Sequence, residues 1–143
     1  MTAWSYKTSE EILAYFCGLA DSGSIANAIS GKIYQDGIRP RDSKKEDMVF
    51  IYTSGVTFGE RVRGEITVNL YVPDVQPYTN GVFVKDGARL ATLSQSLQTW
   101  ASSLPGANDY KIVQLEPIRA VEDRELHQHF LVLHLQYEYC LTN

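Results

Sequence analysis

The sequence predicts an α+β fold: a mainly antiparallel β-sheet with two helices packed on one face. Two apolar stripes at helical spacing, one ahead of residue 22 and one between residues 90 and 104, are separated by strand-like runs and followed by more of them. Residues 61–72 and the end of the chain alternate between apolar and polar side chains, as strands with one buried face do. Runs of strands between the helices, rather than strict one-to-one alternation, favour antiparallel pairing over a doubly wound parallel sheet. A length of 143 residues fits one domain, 1–143, able to bury roughly two thirds of its unfolded surface.

The first helix begins at a capping-box spacing, Thr8 and Glu11, and runs from Ser9 to Asp21 on the stripe Ile12, Leu13, Phe16, Leu19 and Ala20. Trp4 and Tyr6 precede the cap as a staple against this helix, or as an anchor for a partner. Ser22-Gly23-Ser24 ends the helix, and a short helical turn, Ile25 to Ile29, follows before Ser30-Gly31. Lys32 to Gln35 reads as a short strand closed by the turn signal Asp36-Gly37. Arg39 precedes Pro40 and is therefore steered away from helix, so residues 39–47 run extended. Asp47 to Thr53 is apolar on both faces, as a covered central strand would be. Gly55 and Gly59 bracket an expected loop carrying Val56 and Phe58.

From Arg61 to Val72 the pattern sharpens: Val62, Ile66, Val68, Leu70 and Val72 face one way, and Arg61, Arg63, Glu65, Thr67, Asn69 and Tyr71 the other. Pro73 to Lys85 is expected as a loop broken by Pro77 and Asn80-Gly81, with Tyr78, Val82 and Phe83 as its apolar content. Asp86 caps the second helix, striped by Leu90, Leu93, Leu97, Trp100, Ala101 and Leu104 and stopped by Pro105-Gly106. A closing hairpin follows, with one arm from Tyr110 to about Val121, a turn at Glu122-Asp123, and a second arm to Tyr139.

Composition narrows the function classes. The net charge of −4 at neutral pH argues against general affinity for nucleic acid or anionic membranes. No apolar run approaches the roughly 18 residues of a spanning helix, and MTAWSYKTSEE lacks the basic and apolar regions of a signal peptide, so folding in the cytosol is expected. Cys17 and Cys140 lie at opposite ends of the sequence and are expected as reduced thiols.

No catalytic set emerges, and neither a cofactor nor a metal is expected. His127 and His129 would share a strand face, His134 has the opposite parity, and two histidines without a third ligand make a weak metal signal. The neighbouring acids Glu10-Glu11, Glu46-Asp47 and Glu122-Asp123 diverge on a helix or strand and make no acid/base pair. GVTFGERVRG fits no phosphate or dinucleotide loop, and the serines lack a nucleophile elbow. A non-enzymatic role is expected.

What remains is contact. Arg39, Arg41, Lys44 and Lys45, closed by Asp42, Glu46 and Asp47, read as a protruding arm that forms salt bridges with a neighbouring subunit, or as a solvated loop. The polar strand face Arg61, Arg63, Glu65, Thr67 and Asn69 reads as a second contact surface or as a plain solvent-facing strand.

The run IYQDGIRPRDSKKEDMVFIYTSG, then GEITVNLYVPD, then the leucine-striped helix and final hairpin resemble the tail terminator or tail completion family of tailed phages. They are similar also to minor tail and head–tail joining proteins of prophages. The resemblance spans roughly Ile33 to Tyr139. It implies an α+β subunit of a homo-oligomeric ring, typically a hexamer, that caps the tail tube and joins it to head–tail connector proteins in the virion. It places subunit contacts at residues 39–47 and at the loop holding Tyr78. A head-completion or baseplate subunit, or a binding module unrelated to phage, stays open beside it.

Overall fold

The computed structural model describes residues 5–106 and 110–141; Trp4 lies outside them. The elements run α1 (Ser9–Asp21), α2 (Ile25–Ala28), β1 (Ile33–Gln35), β2 (Met48–Phe58), β3 (Arg61–Pro73), α3 (Gly87–Ser103), β4 (Lys111–Gln114), β5 (Arg119–Asp123) and β6 (Gln128–Cys140). The six strands form one sheet in the order β1-β2-β3-β6-β4, with β5 also on β6, so the fold is α+β and mostly antiparallel.

One face of the sheet carries Met48, Phe50, Ile66, Val68, Leu70, Leu131, Leu133, Leu135 and Tyr137, all essentially buried. α1 and α3 cover that face with Ile12, Leu13 and Phe16, and with Leu93, Leu97 and Trp100. Phe50 meets Trp100 edge-on at 6.0 Å, and Phe16 meets Tyr137 at 6.4 Å, so each helix is keyed to the sheet by an aromatic pair. Both caps form as their sequences predict: Glu11 N–H donates to the Thr8 hydroxyl and Arg89 N–H to the Asp86 carboxylate.

Four boundaries differ from the sequence expectation. β1 pairs with β2 in parallel, Ile33 opposite Met48. A parallel pair needs a crossover of about a dozen residues, and residues 36–47 are that crossover. Second, no loop separates Gly55 from Gly59. β2 runs on to Phe58 and turns tightly at Gly59, whose φ of 59° a side chain rarely adopts. Gly55 serves packing instead, since a Cβ there would sit 2.5 Å from the Tyr52 hydroxyl.

Third, the first arm of the final hairpin is broken. β4 ends at Gln114 opposite Leu135, and β5 starts at Arg119 opposite Val132, so residues 115–118 bulge out of the ladder around Pro117. Fourth, its turn falls at residues 124–127, after Glu122-Asp123, with His127 at φ 51°. His127 therefore precedes β6 and does not share a strand face with His129. Tyr6 is 55% exposed and bonds Thr57 near the β2–β3 turn rather than stapling α1.

A β-bulge between Tyr52 and Ser54 shifts the β2–β3 register. Tyr137 reaches it from β6 and donates to the Ser54 carbonyl at 3.0 Å, through space that Gly64 leaves open. A Cβ on Gly64 would stand 2.1 Å from that carbonyl. Gly64→Ala is expected to lower stability by about 3 kcal/mol, read as a fall in thermal or urea midpoint, whereas Gly87→Ala, with open space around it, should change it by less than about 0.5 kcal/mol.

Candidate functional site: two sheet ends and an open face

The face of the sheet away from the helices is divided. Toward the β2–β3 turn it is charged: Arg61 and Arg63, each half-exposed, converge on the buried Glu138 at 3.2 and 3.1 Å, and Arg63 lies 4.8 Å over the Phe58 ring. Glu65 is exposed beside them. Farther along, Val49, Asn69 and Val132 form a buried row across three strands, and the Asn69 side-chain oxygen finds no hydrogen-bond partner among the described residues.

The charged connection divides more sharply. Asp47, 1% exposed, accepts from Lys32 N–H at 2.9 Å, from the Ser43 hydroxyl, and from Arg39 at 2.9 Å. Arg39 also bonds Gln128 and lies 4.0 Å over the Tyr71 ring, with its side chain only 10% exposed. Glu46 takes a two-pronged hydrogen bond from Arg89, and Ser30 N–H donates to it at 3.0 Å. The Arg89 bonds, helped by Ser30, hold the Glu46 carboxyl below the ordinary glutamate range.

Arg39, Glu46 and Asp47 are thus committed within the chain's own fold and do not form part of a protruding arm; a parallel crossover must be tied down, and these are its ties. Arg41, Lys44 and Lys45 stay exposed on its outer side and are the members still open to a partner. Arg89 was not foreseen: its partner lies 43 positions away, and an arginine in the first turn of a helix carries no local signal for a pairing at that distance.

Apolar surface collects at the two ends of the sheet. Val56 (64%), Phe58 (45%) and Tyr6 are exposed at the β2–β3 turn. At the other end, Val75 and Val84 bond each other's backbones and pinch off residues 76–83, leaving Tyr78 63%, Val82 49% and Phe83 41% exposed. Phe83 stacks on His127 at 4.0 Å, and with Leu126, Pro73 and Lys44 they line a pocket of about 100 Å³. His129 holds Asp74 at 2.7 Å at the root of that loop. β3 joins the two ends, a span of about 40 Å for its 13 residues.

His129 is thus occupied with Asp74, and His134 with Glu116 at 2.7 Å. No group of three metal-ligating side chains occurs among the described residues. Burial, with the Asp21 carboxylate, pushes the Cys17 thiol up to about 11, which leaves it protonated at neutral pH. Among the described residues no helix is long and apolar enough to cross a membrane.

Asp47→Ala would strand three donors in a buried site and is expected to cost roughly 3 kcal/mol, whereas Lys44→Ala should cost less than about 0.5 kcal/mol; urea denaturation distinguishes them. Because its carboxyl is depressed in the fold, Glu46 contributes stability above the unfolded glutamate range and loses it as pH falls through the lowered value. Glu46→Gln should therefore be less stable than the parent at pH 7, by about 2 kcal/mol given the partly exposed Arg89. The gap should close as pH drops below about 4. No protein-family model matches the sequence, and no curated protein matches it at a significant level.

Proposed function

We propose that this chain is a structural subunit of a homo-oligomeric ring of the phage tail terminator or completion type, stacked between the end of a tail tube and the head–tail connector. The observation that carries the reading is the pair of apolar patches at opposite ends of β3, Val56 with Phe58 at one and Tyr78, Val82 and Phe83 at the other. A subunit held between two axial partners needs a contact surface at each end, and the two ends need not be alike. Exposed apolar patches of this kind on a small domain mark interaction surfaces. The resemblance of residues 33–139 to that family supplies the identity of the partners.

Within this reading the loop end, flanked by Lys44, meets one axial partner, and charge there sets orientation more than affinity. Light scattering of the purified chain, alone and with isolated tail tubes, is expected to give a mass that is a multiple of the single chain. Tyr78→Ser with Val82→Ser should weaken tube binding at least tenfold while leaving the melting midpoint unchanged. Reversal of Arg41, Lys44 and Lys45 to glutamate should slow association and make it less salt-sensitive. A chain that stays monomeric at every concentration, with and without tubes, would remove the reading.

A further inference from the structure

Both edges of the sheet are half closed and half open, and the open halves stand at the same height. β1 covers β2 only from Met48 to Phe50. From Ile51 to Phe58, no backbone group outside β3 bonds to β2 among the described residues. That stretch, IYTSGVTF, contains no charge and no proline. Monomeric sheet proteins protect such an edge with lysine, proline or a covering loop, because unpaired N–H and C=O groups recruit another strand.

At the opposite edge, the β5 half is guarded by the bulge at residues 115–118, by Pro117, and by Arg119, Glu122 and Asp123. The β4 half carries a single guard, the exposed Lys111 at its start: its outer side is unpaired among the described residues, and Val113 and Leu115 are 41% and 43% exposed. Register then fixes the heights. Lys111 is level with Glu138, Arg63 and Val56, and Gln114 is level with Leu135, Ile66 and Tyr52. Successive antiparallel pairings leave β4 antiparallel to β2.

We infer that a second copy of this chain docks its β4 against residues 51–58 of β2, continuing the antiparallel sheet from one subunit to the next. The inference rests on the ring reading above and names its lateral contact. A copy displaced sideways in the same orientation brings β4 alongside β2 with no axial step, which is what a closed ring requires and a helical filament does not. Main-chain hydrogen bonds would supply affinity, as in other strand additions. On the open face Val56 would sit beside Lys111 of the next copy, and the exposed Val113 and Leu115 would meet the uncharged edge.

The test uses disulfide trapping in the full chain with Cys17→Ala and Cys140→Ser. Val56→Cys and Lys111→Cys are made separately and together; both positions are exposed, so the fold should tolerate them. Under a mild oxidant, each single variant should stay at the single-chain size. An equimolar mixture should shift to dimer only, and the double variant should give a ladder ending at one closed species. Dimers from Val56→Cys alone would overturn the inference in favour of two-fold pairing of β2 with β2. Oligomers in light scattering without any trapped product would overturn it and leave the ring reading standing. A monomer in every condition would remove both.

Discussion

Two adjacent carboxylates hold this fold together. Glu46 and Asp47 end the crossover and open β2, and their side chains point to opposite sides, as neighbours at the start of a strand do. Glu46 ties the crossover to α3 through Arg89 and to the α2–β1 connection through Ser30. Asp47 ties it to β1 through Lys32 and to itself through Ser43 and Arg39. Each is buried, and each would be a heavy desolvation burden if it lost its donors. Gly31 follows from the same constraint: a Cβ there would stand 2.0 Å from an Asp47 oxygen, so only glycine lets β1 approach.

That constraint sorts the charges of the molecule. Those needed to hold a parallel strand without a crossover helix are drawn inward, and those left outside are the exposed Arg41, Lys44 and Lys45. At the other end of the sheet the same sorting appears in miniature, where Glu138 is buried beneath Arg61 and Arg63. The result is a surface whose apolar groups lie at the ends and free edges of the sheet and whose charges flank them.

Much of the fold was legible because its signals are local. Helix stripes, caps and the alternation of β3 each depend on neighbours within a few positions, and they place α1, α3 and β3 almost to the residue, while β6 is found but starts four residues later than its pattern suggests. Misread parts depend on distant partners. Gly55 reads as a loop breaker until Tyr52 and Tyr137 are seen to need its space, and residues 39–47 read as an arm until Arg89, Gln128 and Tyr71 are found on the far side. The surfaces proposed for contact were half legible: Tyr78, Val82 and Phe83 stand out as apolar residues in a loop, but the free edges of β2 and β4 exist only in the strand order.

The position of β6 in that order has a consequence for biosynthesis. It is the last strand in the sequence and nearly the central one in space, pairing with β3 across separations that run from Pro73–Gln128 to Arg61–Cys140. During synthesis at roughly 5–20 residues per second, β3 must wait several seconds with its inner edge bare and the β2 edge bare beside it. Contacts so distant in sequence slow closure, so the nascent chain is at its stickiest just before β6 docks on β3. A holdase chaperone, or slow growth at low temperature, should matter more for yield than the stability of the finished fold.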